Sequence, residues 1–190
     1  MSETAIDPKT ALVLIDLQKG IAGMPTVHPA ADVIAKAAKL ARAFRERGLP
    51  VVLVNVDFAP DFSDAVKVRA DAQAPAMQRD ADFSDLVSEL DVQPSDILIT
   101  KRNWGAFYGT ALDLQLRRRG VTQIVLGGIA TSIGVESTAR AANEHAYQIT
   151  FVSDAMTDRN AASHDHSVNH IFTRIGQVRT TDEVLAALHA

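Results

Sequence analysis

Two features of the sequence predict an α/β fold on a mostly parallel sheet. Short, nearly continuous apolar runs recur along the chain, and longer amphipathic segments separate them. A strand covered on both faces reads as an unbroken Val/Ile/Leu run, whereas a one-sided strand alternates. Regular alternation of such runs with helical segments implies parallel strands, right-handed crossovers and helices on both sheet faces, a three-layer α/β/α arrangement. A third observation sets the organisation: the 190 residues carry no repeat, low-complexity tract or compositional break, so residues 1–190 are expected to form one domain with its own core.

The elements follow in order. Ala11 to Leu17 (ALVLIDL) is the first strand, and Ala31 to Arg47 is a helix with apolar positions at helical spacing that ends at Gly48. Pro50 to Val56 (PVVLVNV) is the second strand. Residues 57–95, with Pro60, Pro75 and Pro94, are the least regular stretch and are expected to form a long excursion around a short helix. Asp96 to Thr100 (DILIT) is the third strand. Thr110 is placed to cap the next helix, with Asp113 in its first turn. The Arg117-Arg118-Arg119 cluster before Gly120 suits that helix's C-terminus, where cations face the negative end of the dipole and glycine closes the turn. Gln123 to Ile129 and Gln148 to Val152 are the fourth and fifth strands, and the short, polar Gln177 to Arg179 is an edge strand. Thr180-Thr181-Asp182-Glu183 opens the last helix, Val184 to Leu188. The first five strands read as covered on both faces.

Composition narrows the function. The formal net charge is −4, which gives no general attraction to nucleic acid or anionic membrane. The absence of cysteine removes disulfides and thiolate zinc sites. The polar start, MSETAIDPKT, does not read as a signal peptide, and no apolar run approaches the ~20 residues that span a bilayer. The expectation is a cytoplasmic protein acting on a small molecule, without cofactor or metal.

In an open parallel sheet the ligand crevice lies outside the carboxyl ends of the strands. Asp16, Asp57, Lys101 and Asp154 fall at or just beyond such ends, and the fourth strand runs into the turn Ala130-Thr131-Ser132-Ile133-Gly134. Asp16 interrupts an otherwise apolar run, so it is expected to be buried, and a buried carboxylate needs a partner or a raised pKa. Lys101 is a natural partner. Asp57 and Asp154 read equally as turn or cap residues. Trp104 and Phe107 lie in a rim loop with Gly105 and Gly109, and are expected to wall a substrate pocket.

The turn admits two readings from the residues alone. It is a near-miss for a G-x-S-x-G nucleophile elbow, with Asp154 and His164, His166 and His170 downstream of Ser132 in the order of a hydrolase triad. The histidines could instead bind metal, since His166 and His170 share a helix face, although no acidic residue completes the set and a polar helix face explains them as well.

A resemblance supplies a third reading. ALVLIDLQ, then ITKRNWGAFYGTALDLQLRRRGVTQIVLGGIATSIGVESTARAA, then FVSDA resemble, in order and spacing, the isochorismatase-like hydrolase superfamily over essentially the whole chain. The resemblance implies a six-stranded parallel sheet and a homo-oligomer, dimer or higher. The family's cysteine hydrolases use an Asp-Lys-Cys triad on amides; Asp16 and Lys101 match the first two, and the cysteine position falls on Gly134. The amides of Ala130 and Gly134 would form an oxyanion cradle, with a cis bond at Ile129–Ala130. The isochorismatases of siderophore and phenazine pathways resemble this chain in having glycine there. They hydrolyse a vinyl ether with the aspartate as general acid, which implies that role for Asp16, with Lys101 orienting it or binding a substrate carboxylate. The chain departs from them in NVDFAPDFS, where they carry an aromatic, Gln and Pro-Gly stretch, and in Ile129-Ala130-Thr131, where they carry Tyr-Ala-His. The nicotinamidase metal set is absent too, and VESTAR, Val135 to Arg140, is closer to the cysteine hydrolases. The resulting expectation is acid-assisted, non-covalent hydrolysis of a small carboxylated substrate. A ligand-binding protein that kept the pocket and lost the chemistry is the alternative from a different class.

Overall fold

The computed structural model describes residues 4–72 and 79–189. Six strands, β1 (Thr10–Ile15), β2 (Val51–Val56), β3 (Ile97–Lys101), β4 (Gln123–Ile129), β5 (Gln148–Thr157) and β6 (Gln177–Arg179), form one sheet in the order β3-β2-β1-β4-β5-β6. Every pairing is parallel. The helices are α1 (Lys19–Ala22), α2 (Ala30–Glu46), α3 (Leu112–Arg118), α4 (Glu136–Glu144), α5 (Ala161–His166), α6 (Thr173–Ile175) and α7 (Thr181–His189). None of the described helices is long and apolar enough to cross a membrane.

The continuous apolar runs feed two cores at once. From β1, Ala11, Val13 and Ile15 join one cluster with Leu112 and Leu116 of α3 and Ala139 and Ala142 of α4. Leu12 and Leu14 join the other, with Leu40 and Phe44 of α2 and Val184 and Leu188 of α7. Period-two alternation thus sends neighbouring residues into opposite layers, and both are buried.

β3 departs from the expectation of two covered faces. It is an edge strand whose burial alternates, and Leu98 stands 60% exposed. β6 closes the opposite edge. β5 runs beyond Val152 to Thr157, past a register shift against β4 between Leu126 and Gly128. Among the described residues, the irregular stretch after β2 holds a short 3-10 turn, Ser88–Leu90, and Pro75 lies outside the described residues.

Local chemistry sets the helix ends. Gly48 adopts φ 65° after α2, and Leu49 N donates to Phe44 O at 2.9 Å. Gly120 does the same after α3, with Arg117 paired to Asp113 at 3.2 Å and lying over the Tyr147 ring. Thr110 Oγ1 accepts from Leu112 N at 3.1 Å. Before α7 the Thr180 amide donates to Glu183 and the Glu183 amide donates to Thr180 Oγ1, a reciprocal capping box.

The sheet order reverses at β1, whose chain successor β2 lies on one side while β4 lies on the other. The carboxyl ends of β1 and β4 therefore flank the crevice in which open α/β sheets bind ligands. Buried Gln18 ties this region down: its Nε2 donates to Val56 O and Phe83 O, both at 2.9 Å, and its Oε1 accepts from Val56 N at 2.7 Å.

Candidate active site

β1 ends at Ile15 and the next residue turns sharply. Asp16 adopts φ 52°, a left-handed conformation that Asp tolerates better than branched residues do. Its amide remains bonded to Val54 O at 2.9 Å, so the strand holds it while the side chain turns into the crevice floor. Asp16 is 5% exposed and Lys101, the last residue of β3, is 2% exposed. Lys101 Nζ donates to Asp16 Oδ2 at 2.8 Å and to Asn103 O at 3.1 Å. Asp16 Oδ1 is buried and has no hydrogen-bond partner among the described residues.

Two opposing effects act on this carboxyl. Burial penalises the charged form, and Lys101 favours it. Burial prevails, raising Asp16 from 3.8 to about 6.

The turn after β4 lies directly against the acid. The Ile129–Ala130 peptide is cis, and Thr131–Val135 form a single π-helical turn in which the Ile133 and Val135 amides donate to Ala130 O. A Cβ built at Gly134 would lie 2.9 Å from Ile15 Cγ2 and 3.3 Å from Asp16 Oδ2. A side chain at 134 would thus press on Ile15 and stand in tight contact with the carboxylate. Thr138 Oγ1 donates to Gly134 O at 2.7 Å and accepts from Ala106 N at 3.1 Å, so one hydroxyl joins the turn to the rim loop.

The structure brings some of the predicted residues together and separates others. Asp16, Lys101 and Gly134 meet at the crevice floor, and Ala130 heads the turn above them. Trp104 stands 68% exposed on the rim. Phe107 points elsewhere: it is 7% exposed in the core and packs on Tyr147 and His145, with ring centroids 5.9 and 5.2 Å away. Its position anchors the rim loop below the surface. Asp57 pairs with Arg79 at 3.0 Å, and Asp154 accepts from the Thr181 amide and hydroxyl and pairs with Lys36. Both act as local caps or tethers.

The triad order Ser132, Asp154, His164 does not become a hydrogen-bonded triad. Ser132 meets a carboxylate through its amide, which donates to Asp158 Oδ2 at 2.7 Å, while Asp154 is committed to α7. His164 directs Nδ1 to Thr131 Oγ1 at 2.8 Å. His166 and His170 neighbour each other at 5.3 Å between ring centroids, but no metal-binding group of three or more His, Cys, Asp or Glu occurs among the described residues. Asp158, 3% exposed, escaped the sequence reading because the fifth strand was ended at Val152. The Ala155-Met156-Thr157 continuation was the available signal for a later strand end.

Comparison with known proteins agrees with this architecture. A family model for the isochorismatase domain matches residues 10–183. The isochorismatase family protein YecD of Escherichia coli O157:H7 is 49% identical over 182 residues, covering 94% of this chain and 96% of that protein. An isochorismatase family protein from Burkholderia thailandensis has a solved structure that superposes with a TM-score of 0.96 at 47% identity, each chain covered in full. N-carbamoylsarcosine amidase from Thermoplasma acidophilum superposes with a TM-score of 0.74 at 32% identity, covering 92% of this chain and 97% of that one. Phenazine biosynthesis protein PhzD1 of Pseudomonas aeruginosa is 29% identical, covering 97% of this chain and 89% of that protein.

Proposed function

The chain belongs to the isochorismatase family, and from that premise we propose that it is a hydrolase acting by acid catalysis without a covalent intermediate. Its substrate class is a small carboxylated vinyl ether of the isochorismate type. The observation that carries this reading is the asymmetric environment of Asp16. One oxygen is held by Lys101, the other is buried with no hydrogen-bond partner among the described residues, and burial raises the carboxyl to about 6. Near neutral pH roughly a tenth of such a group carries a proton, a workable population for a general acid.

The chemistry needs no nucleophilic side chain. Asp16 delivers its proton from Oδ1 to the terminal vinyl carbon, and the ether carbon becomes an oxocarbenium centre. Water adds there and returns a proton to the Asp16 carboxylate, giving a hemiketal. Collapse of the hemiketal breaks the C–O bond to the leaving alcohol and yields a keto acid. Lys101 spends two of its three N–H donors on Asp16 Oδ2 and Asn103 O, so its part is to fix the orientation of the acid. Gly134 leaves backbone where the family's cysteine hydrolases place sulfur. The reading includes a homo-oligomer, supported by Trp104 and Tyr108, 68% and 82% exposed on one rim loop.

The test is keto-acid release from isochorismate by the wild-type chain and by Asp16→Asn. The expected result is turnover that falls at least about 100-fold in the variant. A fully active Asp16→Asn would remove the mechanism. Saturable binding of isochorismate with no turnover in either chain would replace the enzyme with a ligand-binding protein on the same fold.

A further inference from the structure

The acid reading uses one face of the Ala130–Gly134 turn. The opposite side is held by buried polar groups which that reading leaves unemployed. Asp158, directly after β5, is 3% exposed and receives three backbone amides. Ser132 N donates to Oδ2 at 2.7 Å, and Arg159 N and Asn160 N donate to Oδ1 at 2.7 and 3.3 Å. One residue earlier in the turn, Thr131 is fully buried and its hydroxyl meets His164 Nδ1 at 2.8 Å. His164 is 6% exposed and packs edge-on against His28, with ring centroids 4.8 Å apart. The segment carrying His28 is fastened in turn: Val27 N donates to Asp158 O at 2.8 Å and His28 N to Thr157 Oγ1 at 3.0 Å.

Asp158 after β5 and His164 of α5 therefore hold Ser132 and Thr131 directly, and the Val27–His28 segment braces both holders from behind. Two residues further on, the same turn carries Gly134, where a Cβ would lie 3.3 Å from Asp16 Oδ2. A turn packed at this place helps to cover the carboxyl, which is only 5% exposed. We propose that Asp158 and the Thr131–His164 pair are positioning residues that press the turn onto Asp16 and keep its carboxyl dry. The proposal rests on Asp16 being the acid, because it explains how a carboxyl beside a lysine has its proton affinity raised and not lowered.

Two features support this division of labour. Lys101 is the charged group bonded to Asp16, and its presence favours ionisation, so the opposing effect must come from exclusion of water. The clamp itself is suited to a fixed position: burial, and then the neighbouring His28, hold His164 below the ordinary histidine value, while Asp158 and Asp165 act weakly in the other direction. A neutral ring offers one N–H and one lone pair, and either tautomer at Nδ1 can satisfy the Thr131 hydroxyl.

The experiment follows the Asp16 side-chain carboxyl by carbon-13 NMR titration in the full chain, which needs no substrate and is independent of turnover. The variants are Asp158→Ala, which frees the Ser132 amide, and Thr131→Val, which removes only the hydroxyl and keeps the side-chain shape. Asp154→Ala is the control, since Asp154 makes comparable bonds at the same rim but serves α7 and Lys36. In both clamp variants the Asp16 midpoint should fall by about one pH unit or more, a tenfold or greater loss of proton affinity. Amide exchange at Ser132 should accelerate in Asp158→Ala, and the control should leave both readouts in place. If Asp158→Ala does not fold, Thr131→Val carries the test. A wild-type midpoint in the ordinary carboxylate range, or an unchanged midpoint in a folded clamp variant, overturns the proposal. Failure of the acid reading itself would show separately, as turnover that survives Asp16→Asn.

Discussion

A buried carboxyl with a raised proton affinity must leave a mark on stability. The perturbation is Asp16→Asn, which keeps the side-chain shape and leaves an oxygen able to accept from Lys101. In the folded chain Asp16 titrates near 6, against 3.8 without the fold. Between these two values the native state holds a proton that the unfolded chain has already released. Stability therefore falls as pH rises through the window, and the contribution is present in full only below it. Each tenfold change in proton affinity is worth about 1.36 kcal/mol, so the whole window amounts to about 3 kcal/mol. With Asp16 only 5% exposed, solvent screening takes little from this figure.

The assay is urea unfolding of both chains at closely spaced pH values from 3.5 to 8. The unfolding free energy of the wild type minus that of the variant should decline by about 3 kcal/mol across the window and level off above about pH 7. Taking the difference cancels titrations common to the two chains. A difference that stays flat would mean that Asp16 ionises as it does in an unfolded chain. One that climbs with pH would mean that Lys101 dominates burial. Either result removes the protonated carboxyl on which the acid chemistry depends.

Other parts of the structure make further predictions. Gly128 has φ 123°, and a Cβ there would lie 2.2 Å from Ile15 O, so Gly128→Ala should cost more than ~4 kcal/mol or prevent folding, read from soluble yield and urea midpoint. Asp96 is 1% exposed at its side chain and grips Arg45 at 2.7 Å while accepting the Gln93 amide at 2.8 Å; Asp96→Ala should destabilise by about 3 kcal/mol in the same assay. His164 is held neutral by burial, so its contribution to stability is present above the unfolded histidine value of about 6.5 and lost as pH falls below it; His164→Asn should flatten that part of the pH profile. Gly134→Cys places sulfur beside Asp16 at the cost of crowding Ile15 Cγ2, and should confer hydrolysis of a small amide such as N-carbamoylsarcosine that iodoacetamide abolishes. An alkylated thiol with no amidase activity before treatment would count against an amidase frame.

Much of the fold was legible because its parallel sheet writes itself as unbroken apolar runs. β1 and β4 are buried along their whole length, and both are marked by short runs of Val, Ile and Leu. DILIT looks no different, yet β3 is an edge strand with Leu98 exposed; a local run records apolarity and not which strand lies beside it. Asp16 was legible for the opposite reason, as one charge among residues that must be buried. Asp158 was hidden because the register shift against β4 carries β5 past half-buried Ser153 and Asp154 before burial resumes. Phe107 was misplaced because a rim loop needs an anchor as well as a face. Ala106 bonds to Thr138 beneath the surface, which draws its neighbour into the core and leaves Trp104 outside.

The glycine in the turn and the proposed acid role of Asp16 bear on one another through geometry. An aspartate that serves a cysteine must be ionised when it accepts the thiol proton, and a lysine at 2.8 Å favours that state. An aspartate that acts as an acid must resist the same lysine. Retaining the pair while reversing its role requires a stronger desolvating influence, and solvent exclusion is the influence a backbone can supply. With no Cβ at position 134, the turn can settle where a side chain would collide with Ile15 and crowd Asp16 Oδ2. On the proposed reading, glycine at 134 and an acid at Asp16 belong together: without a Cβ there the turn packs beside Ile15 and Asp16, and burial opposes the charge that Lys101 favours.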